Sequence, residues 1–265
     1  MKMDFGFNLN TFCKIYFYCS FCYITIILFI MMIKPRLFKR KYIDSNVVIV
    51  TAHPDDETMF FGPTIISMMR RSLTNKPNKI FLLCLSNGNY YGIGEQRTKE
   101  LEQCCRVLGV EKVVVIDDNR LEDKPNEWWD ESVVSQHIMD FVDQNDIQVI
   151  ISFDEYGISG HTNHRVIYRV LSDLKSYRLN NHFYCLQSIS ILRKYLSFLE
   201  IPITLLFCLY YNVFKHNDRL FNVISFYEYK TLLNALHKHK TQMLWFRYLY
   251  CFTSRYMFVN DLVRI

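Results

Sequence analysis

Nothing in these 265 residues repeats, and no low-complexity tract interrupts them. Charge is sparse as well. The formal balance of +5 is not gathered into the dense basic arrays that nucleic acid demands, so no nucleic-acid partner is expected. No disulfide framework is expected either, since the nine cysteines are odd in number and suggest no plausible set of bridges. Cys19 and Cys22 have CxxC spacing, but they lie in an apolar segment where four zinc-site ligands cannot be assembled. Cys104 and Cys105 fall in an expected helix. Reduced, buried thiols in a cytosol-facing domain fit this usage. Gly88 and Gly94 precede a helix, yet their spacing matches neither the dinucleotide fingerprint nor the Walker loop, and they follow the second strand.

What is present is apolar. Half the residues are hydrophobic and 16% are aromatic, which excludes a disordered chain and allows one large domain or two small ones. The residues from Ile15 to Ile33 carry no charge. As a helix they would span roughly 28 Å, close to the ~30 Å hydrocarbon core of a bilayer. A cleaved signal peptide is the alternative. Against it, the segment is long for such a leader, and Lys34-Pro35-Arg36 follows instead of a small-x-small cleavage site. The expected organisation is a tail at 1–14, a membrane helix at 15–33, a basic linker at 34–45 and a catalytic domain at 46–265. Lys34, Arg36, Lys39, Arg40 and Lys41 follow the helix, whereas only Lys2 and Lys14 precede it, so the domain is expected on the cytosolic side. Ile201 to Phe214 is a second apolar run with Pro202 inside it. It is short for a span and suits core, a re-entrant segment or, as the expectation adopted here, membrane-surface contact. Lys238 to Tyr250 mixes basic and aromatic residues (Lys238, His239, Lys240, Trp245, Phe246, Arg247) apt for lipid headgroups.

From Asn46 the pattern alternates strand and helix, which predicts right-handed βαβ units and a mostly parallel, Rossmann-like α/β sheet flanked by helices. Strands are expected at Val47 to Thr51, Lys79 to Ser86, Lys112 to Asp117, Val149 to Phe153 and His182 to Ser188. Helices are expected at Thr58 to Arg71, Glu95 to Leu108, Glu131 to Asn145 and Asn163 to Leu174.

Chemistry gathers at two strand ends. Ala52-His53-Pro54-Asp55-Asp56-Glu57 follows the first strand, and His161-Thr162-Asn163-His164 follows the fourth. Open α/β sheets build their sites at such carboxyl ends. Taken alone, Asp-Asp-Glu at a helix start is more often an N-cap, and a lone His-x-x-His an accident of a loop. Together they suggest a hydrolase with a divalent metal, zinc by its N and O donors. His53, Asp56 and His164 form the ligand set. Asp55 is left over as a base that takes a proton from the attacking water and passes it to a leaving amine. His161 is placed to donate to the developing oxyanion, with Asn163 orienting that imidazole.

These motifs resemble the LmbE-like zinc de-N-acetylases, and within them the PIG-L branch, the N-acetylglucosaminyl-phosphatidylinositol de-N-acetylases. The likeness extends to Leu85-Ser86-Asn87-Gly88-Asn89-Tyr90, Gly94-Glu95-Gln96-Arg97-Thr98-Lys99-Glu100-Leu101, Ser152-Phe153-Asp154, Gly157-Ile158-Ser159-Gly160-His161, Leu192-Arg193-Lys194-Tyr195 and Gln242-Met243-Leu244-Trp245-Phe246-Arg247. It covers roughly Asn46 to the C-terminus, and the N-terminal apolar segment suits the membrane-bound branch. The resemblance implies that His53, Asp56 and His164 bind the metal, that Asp55 is the general base and that His161 polarises the carbonyl. Arg97 and Asn89 are the expected substrate contacts, Arg97 for a phosphate. Soluble bacterial members often carry Asp where this chain has Asn163, which removes a charged partner that would hold His161 as a cation. The implied reaction deacetylates N-acetylglucosaminyl-phosphatidylinositol at the cytosolic face of the endoplasmic reticulum membrane, the second step of glycosylphosphatidylinositol anchor synthesis. The rivals are a deacetylase for another, soluble N-acetylglucosaminide and a catalytically silent membrane scaffold.

Overall fold

The structure, a computed structural model, describes residues 9–37, 45–69, 78–124, 126–215 and 218–265. Most of the expected basic linker and the end of the helix expected to reach Arg71 lie outside them. The chain begins with helix α1 (Leu9–Leu37), then strand β1 (Asn46–Thr51), short helix α2 (Asp56–Met59) and helix α3 (Gly62–Met69). Strand β2 (Lys79–Cys84), helix α4 (Gly94–Leu108), strand β3 (Lys112–Val115) and helix α5 (Glu131–Gln144) follow. Next come strand β4 (Val149–Phe153), short helix α6 (Gly157–Gly160), helix α7 (Thr162–Leu174) and strand β5 (His182–Leu186). The last part holds α8 (Ile191–Lys194), α9 (Ile201–Phe214), β6 (Arg219–Val223), α10 (Phe226–Leu236), α11 (Trp245–Thr253) and β7 (Val259–Arg264).

The strands form one sheet in the order β3-β2-β1-β4-β5-β7-β6. The first five are mutually parallel, and β7 runs antiparallel to both of its neighbours. This is the mostly parallel α/β sheet the alternation predicts. Val47 to Val50 and Val149 to Ile151 are wholly buried, as β-branched strands covered on both faces must be. Because β1 leads to β2 on one side while β4 lies on the other, a crevice opens between the carboxyl ends of β1 and β4. Both histidine motifs sit there.

Three features differ from the sequence pattern. The single helix expected from Thr58 starts at Asp56 and breaks at Phe60 and Phe61, because Gly62 and Pro63 restart it as α3. Gly62 is set by packing, since a Cβ there would meet Leu232 of α10 at 2.4 Å. Strands β6 and β7 were not anticipated. β7, Val-Asn-Asp-Leu-Val-Arg, buries two polar residues and so lacks an apolar signature. Asn260 satisfies itself by accepting from the Thr64 N–H at 3.0 Å and donating to the Phe60 carbonyl at 2.9 Å.

Helix α1 and the stretch Ser197–Phe214 are both long and apolar enough to cross a membrane. They touch: Ile27, Ile30 and Met31 of α1 are buried, and the Tyr23 hydroxyl donates to the Leu199 carbonyl at 2.5 Å. Helix α9 buries Ile201, Pro202, Thr204 and Cys208 while exposing Leu206, Phe207, Tyr210, Val213 and Phe214.

Candidate active site

The β1 end turns tightly. Asp55 adopts φ 113°, a left-handed conformation that costs a non-glycine residue of order 1–3 kcal/mol and persists only where neighbours fix it. They do. The Asp55 N–H donates to Glu57 Oε2 at 3.0 Å, and Asp55 O accepts from the Met59 N–H at 3.0 Å. Glu57 is itself clamped, accepting at Oε1 from His239 Nε2 (2.7 Å), Thr58 Oγ1 (3.0 Å) and Cys104 Sγ (3.1 Å). Glu57, Cys104 and His239 could in principle hold an ion. Burial, however, pushes the Cys104 thiol up, so it stays protonated and donates to Glu57, and the cluster is a strut. Burial alone would push His239 down, but the Glu57 carboxylate outweighs it and raises the imidazole.

Asp56 is buried, with Oδ2 accepting from the Ala52 and His53 N–H groups at 3.1 and 2.9 Å. Burial would raise its carboxyl, but the neighbouring His164, then His53, hold it well below the usual carboxylate range. His164 lies flat on Phe153, with ring centroids 3.8 Å apart, and its Nδ1 donates to the Gly157 carbonyl at 3.0 Å. An imidazole that spends its one N–H on a carbonyl presents a lone pair at the other nitrogen. That atom, Nε2, is buried, has no hydrogen-bond partner among the described residues, and lies 3.3 Å from Asp56 Oδ2. Two acceptors so close need a cation between them. His53 Nδ1 is 3.8 Å from the same oxygen, while its Nε2 faces Asp123 Oδ1 at 3.2 Å. The carboxylate can only accept, so it fixes the tautomer that leaves Nδ1 as a ligand. Burial would lower the His53 pKa, but the hydrogen bond to Asp123 and the charge of Asp56 raise it. The donor atoms of His53, Asp56 and His164 all lie within 4.8 Å of one another and form a possible metal site. The donor set, one carboxylate and two imidazoles, fits a borderline divalent ion. A second grouping, His53 with Asp123 and His161, shares a ligand with the first and is less deeply buried.

His161 is partly buried. Its Nδ1 accepts from the Asn163 N–H at 3.3 Å, which leaves Nε2 to carry the proton. Burial, then the nearby His53 and His164, lower its pKa to about 4, so it stands neutral at physiological pH. The orienting contact comes from the Asn163 backbone. The Asn163 side chain, expected to hold His161, instead meets His53 Nε2 at 3.1 Å.

Asp55 is turned toward Arg247 of α11, whose Nη2 donates to Asp55 Oδ2 at 2.5 Å. Burial pushes the Asp55 carboxyl up, and the guanidinium partly offsets this. Arg97 is 7% exposed and directed inward, donating from Nη1 to the Gly88 carbonyl (2.9 Å) and from Nη2 to the Pro54 carbonyl (2.8 Å). Its fork braces the Pro54 turn. Gly88 is required for that brace: φ is +70°, and a Cβ would fall 2.2 Å from Arg97 Nη1. Asn89 accepts from the Gly94 N–H at 2.8 Å and lines a cavity of about 530 Å³ shared with Asn87, Asp117 and Asp123.

Sequence reasoning missed Asp123, Arg247 as the partner of Asp55, and the Glu57–His239 strut. Asp123 lies in a loop holding several other carboxylates. His239 and Arg247 sit in a basic, aromatic stretch suited to headgroups, but tertiary contact draws both inward, His239 completely.

Comparison with known proteins points one way. The family model described as PIG-L, GlcNAc-PI de-N-acetylase, matches residues 48–175. The chain is similar to the N-acetylglucosaminyl-phosphatidylinositol de-N-acetylase of Bos taurus, 39% identical over 223 residues that cover 82% of this chain and 83% of that one. It is 35% identical to a probable enzyme of the same name from Dictyostelium discoideum, covering 84% and 94%. Among solved structures, the zinc-inhibited form of teicoplanin deacetylase Orf2 aligns with TM-score 0.58 at 10% identity, over 83% of this chain and 97% of that one. The N,N'-diacetylchitobiose deacetylase from Pyrococcus horikoshii aligns with TM-score 0.52 at 14% identity, over 83% and 82%. These two likenesses bear on the fold.

Proposed function

We propose, from the premise that this chain belongs to the PIG-L family of GlcNAc-PI de-N-acetylases, that it hydrolyses the acetamide of N-acetylglucosaminyl-phosphatidylinositol to glucosaminyl-phosphatidylinositol and acetate. The reaction belongs to glycosylphosphatidylinositol anchor synthesis. The observation that carries this reading is the pair of facing acceptors, His164 Nε2 and Asp56 Oδ2, with a spare carboxylate and a neutral imidazole beside them.

His53, Asp56 and His164 are the residues that would hold a divalent ion, zinc by the nature of the donors. When bound, such an ion polarises the acetamide carbonyl and eases deprotonation of the attacking water. Asp55 removes that proton and returns it to the departing amine. His161, neutral with its proton on Nε2, donates to the carbonyl oxygen as negative charge develops there. Asp123 holds the His53 tautomer, and Arg97 braces the turn that carries His53 and Asp55. The polar cavity beside Asn89 and Asp123 is matched to sugar hydroxyls.

Helix α1 serves as a single membrane span of the endoplasmic reticulum, with the catalytic domain in the cytosol and α9 and α11 against the bilayer surface. Supporting this placement are the apolar length of α1, its packing on the stretch that opens α9, and the exposed Trp245, Tyr248, Leu249 and Phe252 of α11. The test is release of labelled acetate from the glycolipid by membranes holding this chain, with loss on chelation and recovery with zinc. Equal turnover of a lipid-free N-acetylglucosaminide would move the substrate to a soluble glycoside. No acetate from either would leave a silent scaffold.

A further inference from the structure

Asp55, the carboxylate left over for proton transfer, is not at liberty. Its Oδ2 is held by Arg247 Nη2 at 2.5 Å, and an oxygen already accepting from a guanidinium has less to offer a water. The side chain of Arg247 is 21% exposed against 6% for Asp55, so the guanidinium stands between the base and the outside. The other arm of its fork, Nη1, rests on the Met59 thioether, a weak acceptor. Arg97, the other arginine beside the motif, has both ends of its fork committed to the Gly88 and Pro54 carbonyls. Helix α11 also presents an apolar, aromatic outer face, with Trp245 and Phe252 75% and 68% exposed. Arg247 therefore sits where a face suited to lipid meets the proton-transfer carboxylate.

We propose that Arg247 is a specificity-determining residue that binds the substrate's anionic phosphodiester, and that in moving to the phosphate it releases Asp55. The planar fork of arginine matches carboxylate and phosphate equally well, so one anion replaces the other without leaving the guanidinium unpaired. A phosphate-free N-acetylglucosaminide leaves the Asp55–Arg247 pair closed and is turned over slowly for that reason. This inference rests on the glycolipid reaction proposed above and names the feature of the substrate that the site reads.

The experiment uses the full chain in membranes with two substrates, short-chain N-acetylglucosaminyl-phosphatidylinositol and the phosphate-free N-acetylglucosaminyl-inositol. Competition by inositol 1-phosphate and by inositol supplies a binding readout. R247Q should lower kcat/KM for the phospholipid by about 10- to 100-fold, the range for one charge-assisted hydrogen bond. Turnover of the phosphate-free glycoside should rise, because Asp55 is no longer held, so the selectivity collapses. Inositol 1-phosphate should lose affinity in R247Q while inositol does not, and R247K should recover part of both effects. Equal losses on the two substrates would mean that Arg247 is merely structural and would overturn the inference, with the deacetylase reading intact. If the unaltered chain releases no acetate from either substrate, that reading falls. The competition then decides on its own, and unchanged affinity of R247Q for inositol 1-phosphate overturns the role given to Arg247.

Discussion

Asp55 and Asp56 are adjacent, carry the same side chain and meet opposite surroundings. Asp56 is locked by two backbone N–H groups and faces two imidazoles, whereas Asp55 touches a partly exposed guanidinium. They should therefore fail differently. Asp56→Ala is expected to lose bound zinc together with activity, as are His53→Ala and His164→Ala. Asp55→Asn should keep the metal and lose roughly 10²–10⁴ in rate, the range for a general acid–base. Metal content of the purified variants decides: zinc lost from Asp55→Asn yet kept by Asp56→Ala would exchange the two assignments. His239 makes a second case. It is fully buried against Glu57, and removing one partner of such a pair strands a charge at about 3–5 kcal/mol. His239→Ala should show that loss in its denaturant midpoint, and His239→Gln, which keeps a donor, should recover part of it. A change below about 1 kcal/mol, the level of an exposed pair, would show that the strut carries no weight.

At the scale of elements, the turn between β1 and α3 matters most. Glycine and proline at 62 and 63 break what would otherwise be one helix, which leaves α2 short and its start free to point Asp55 and Asp56 into the crevice. Helix α1 has a separate job. The sheet begins at Asn46, so deletion of residues 1–34 should leave a folded domain, at the cost of the contacts made by Ile27, Ile30 and Met31. Turnover of lipid embedded in vesicles should drop, because the truncated chain loses its confinement near the substrate. Undiminished turnover by a truncated chain that still sediments with vesicles would show that α9 and α11 anchor it by themselves.

For the whole molecule, the proposed span raises the question of which side of the membrane holds the crevice. Five basic residues follow the Ile15–Ile33 segment and two precede it, so protease added to sealed microsomes should cleave a C-terminal tag. A protected tag beside a degraded cytosolic control would reverse the orientation. The order β3-β2-β1-β4-β5 explains why a single crevice serves both motifs, since it is the point where the chain switches from building one side of the sheet to the other.

Local pattern was enough for the five parallel strands, three of the four expected helices at near their observed bounds, and the grouping of His53, Asp56 and His164. Strand alternation and strand-end chemistry are encoded over a few neighbouring residues, and the sheet's topology then brings two such ends together. Other features had no local signal. Strand β7 carries buried polar residues that make sense only against Thr64 and Phe60, about two hundred positions away. Arg97 read as a free cation because nothing in the sequence says that Gly88 and Pro54 would turn their carbonyls toward it. His239 and Arg247 read as surface residues because charge beside aromatics looks the same whether it faces lipid or a buried carboxylate. Which of these a cation does is settled by long-range contact, and only the folded chain brings Glu57 and Asp55 within reach.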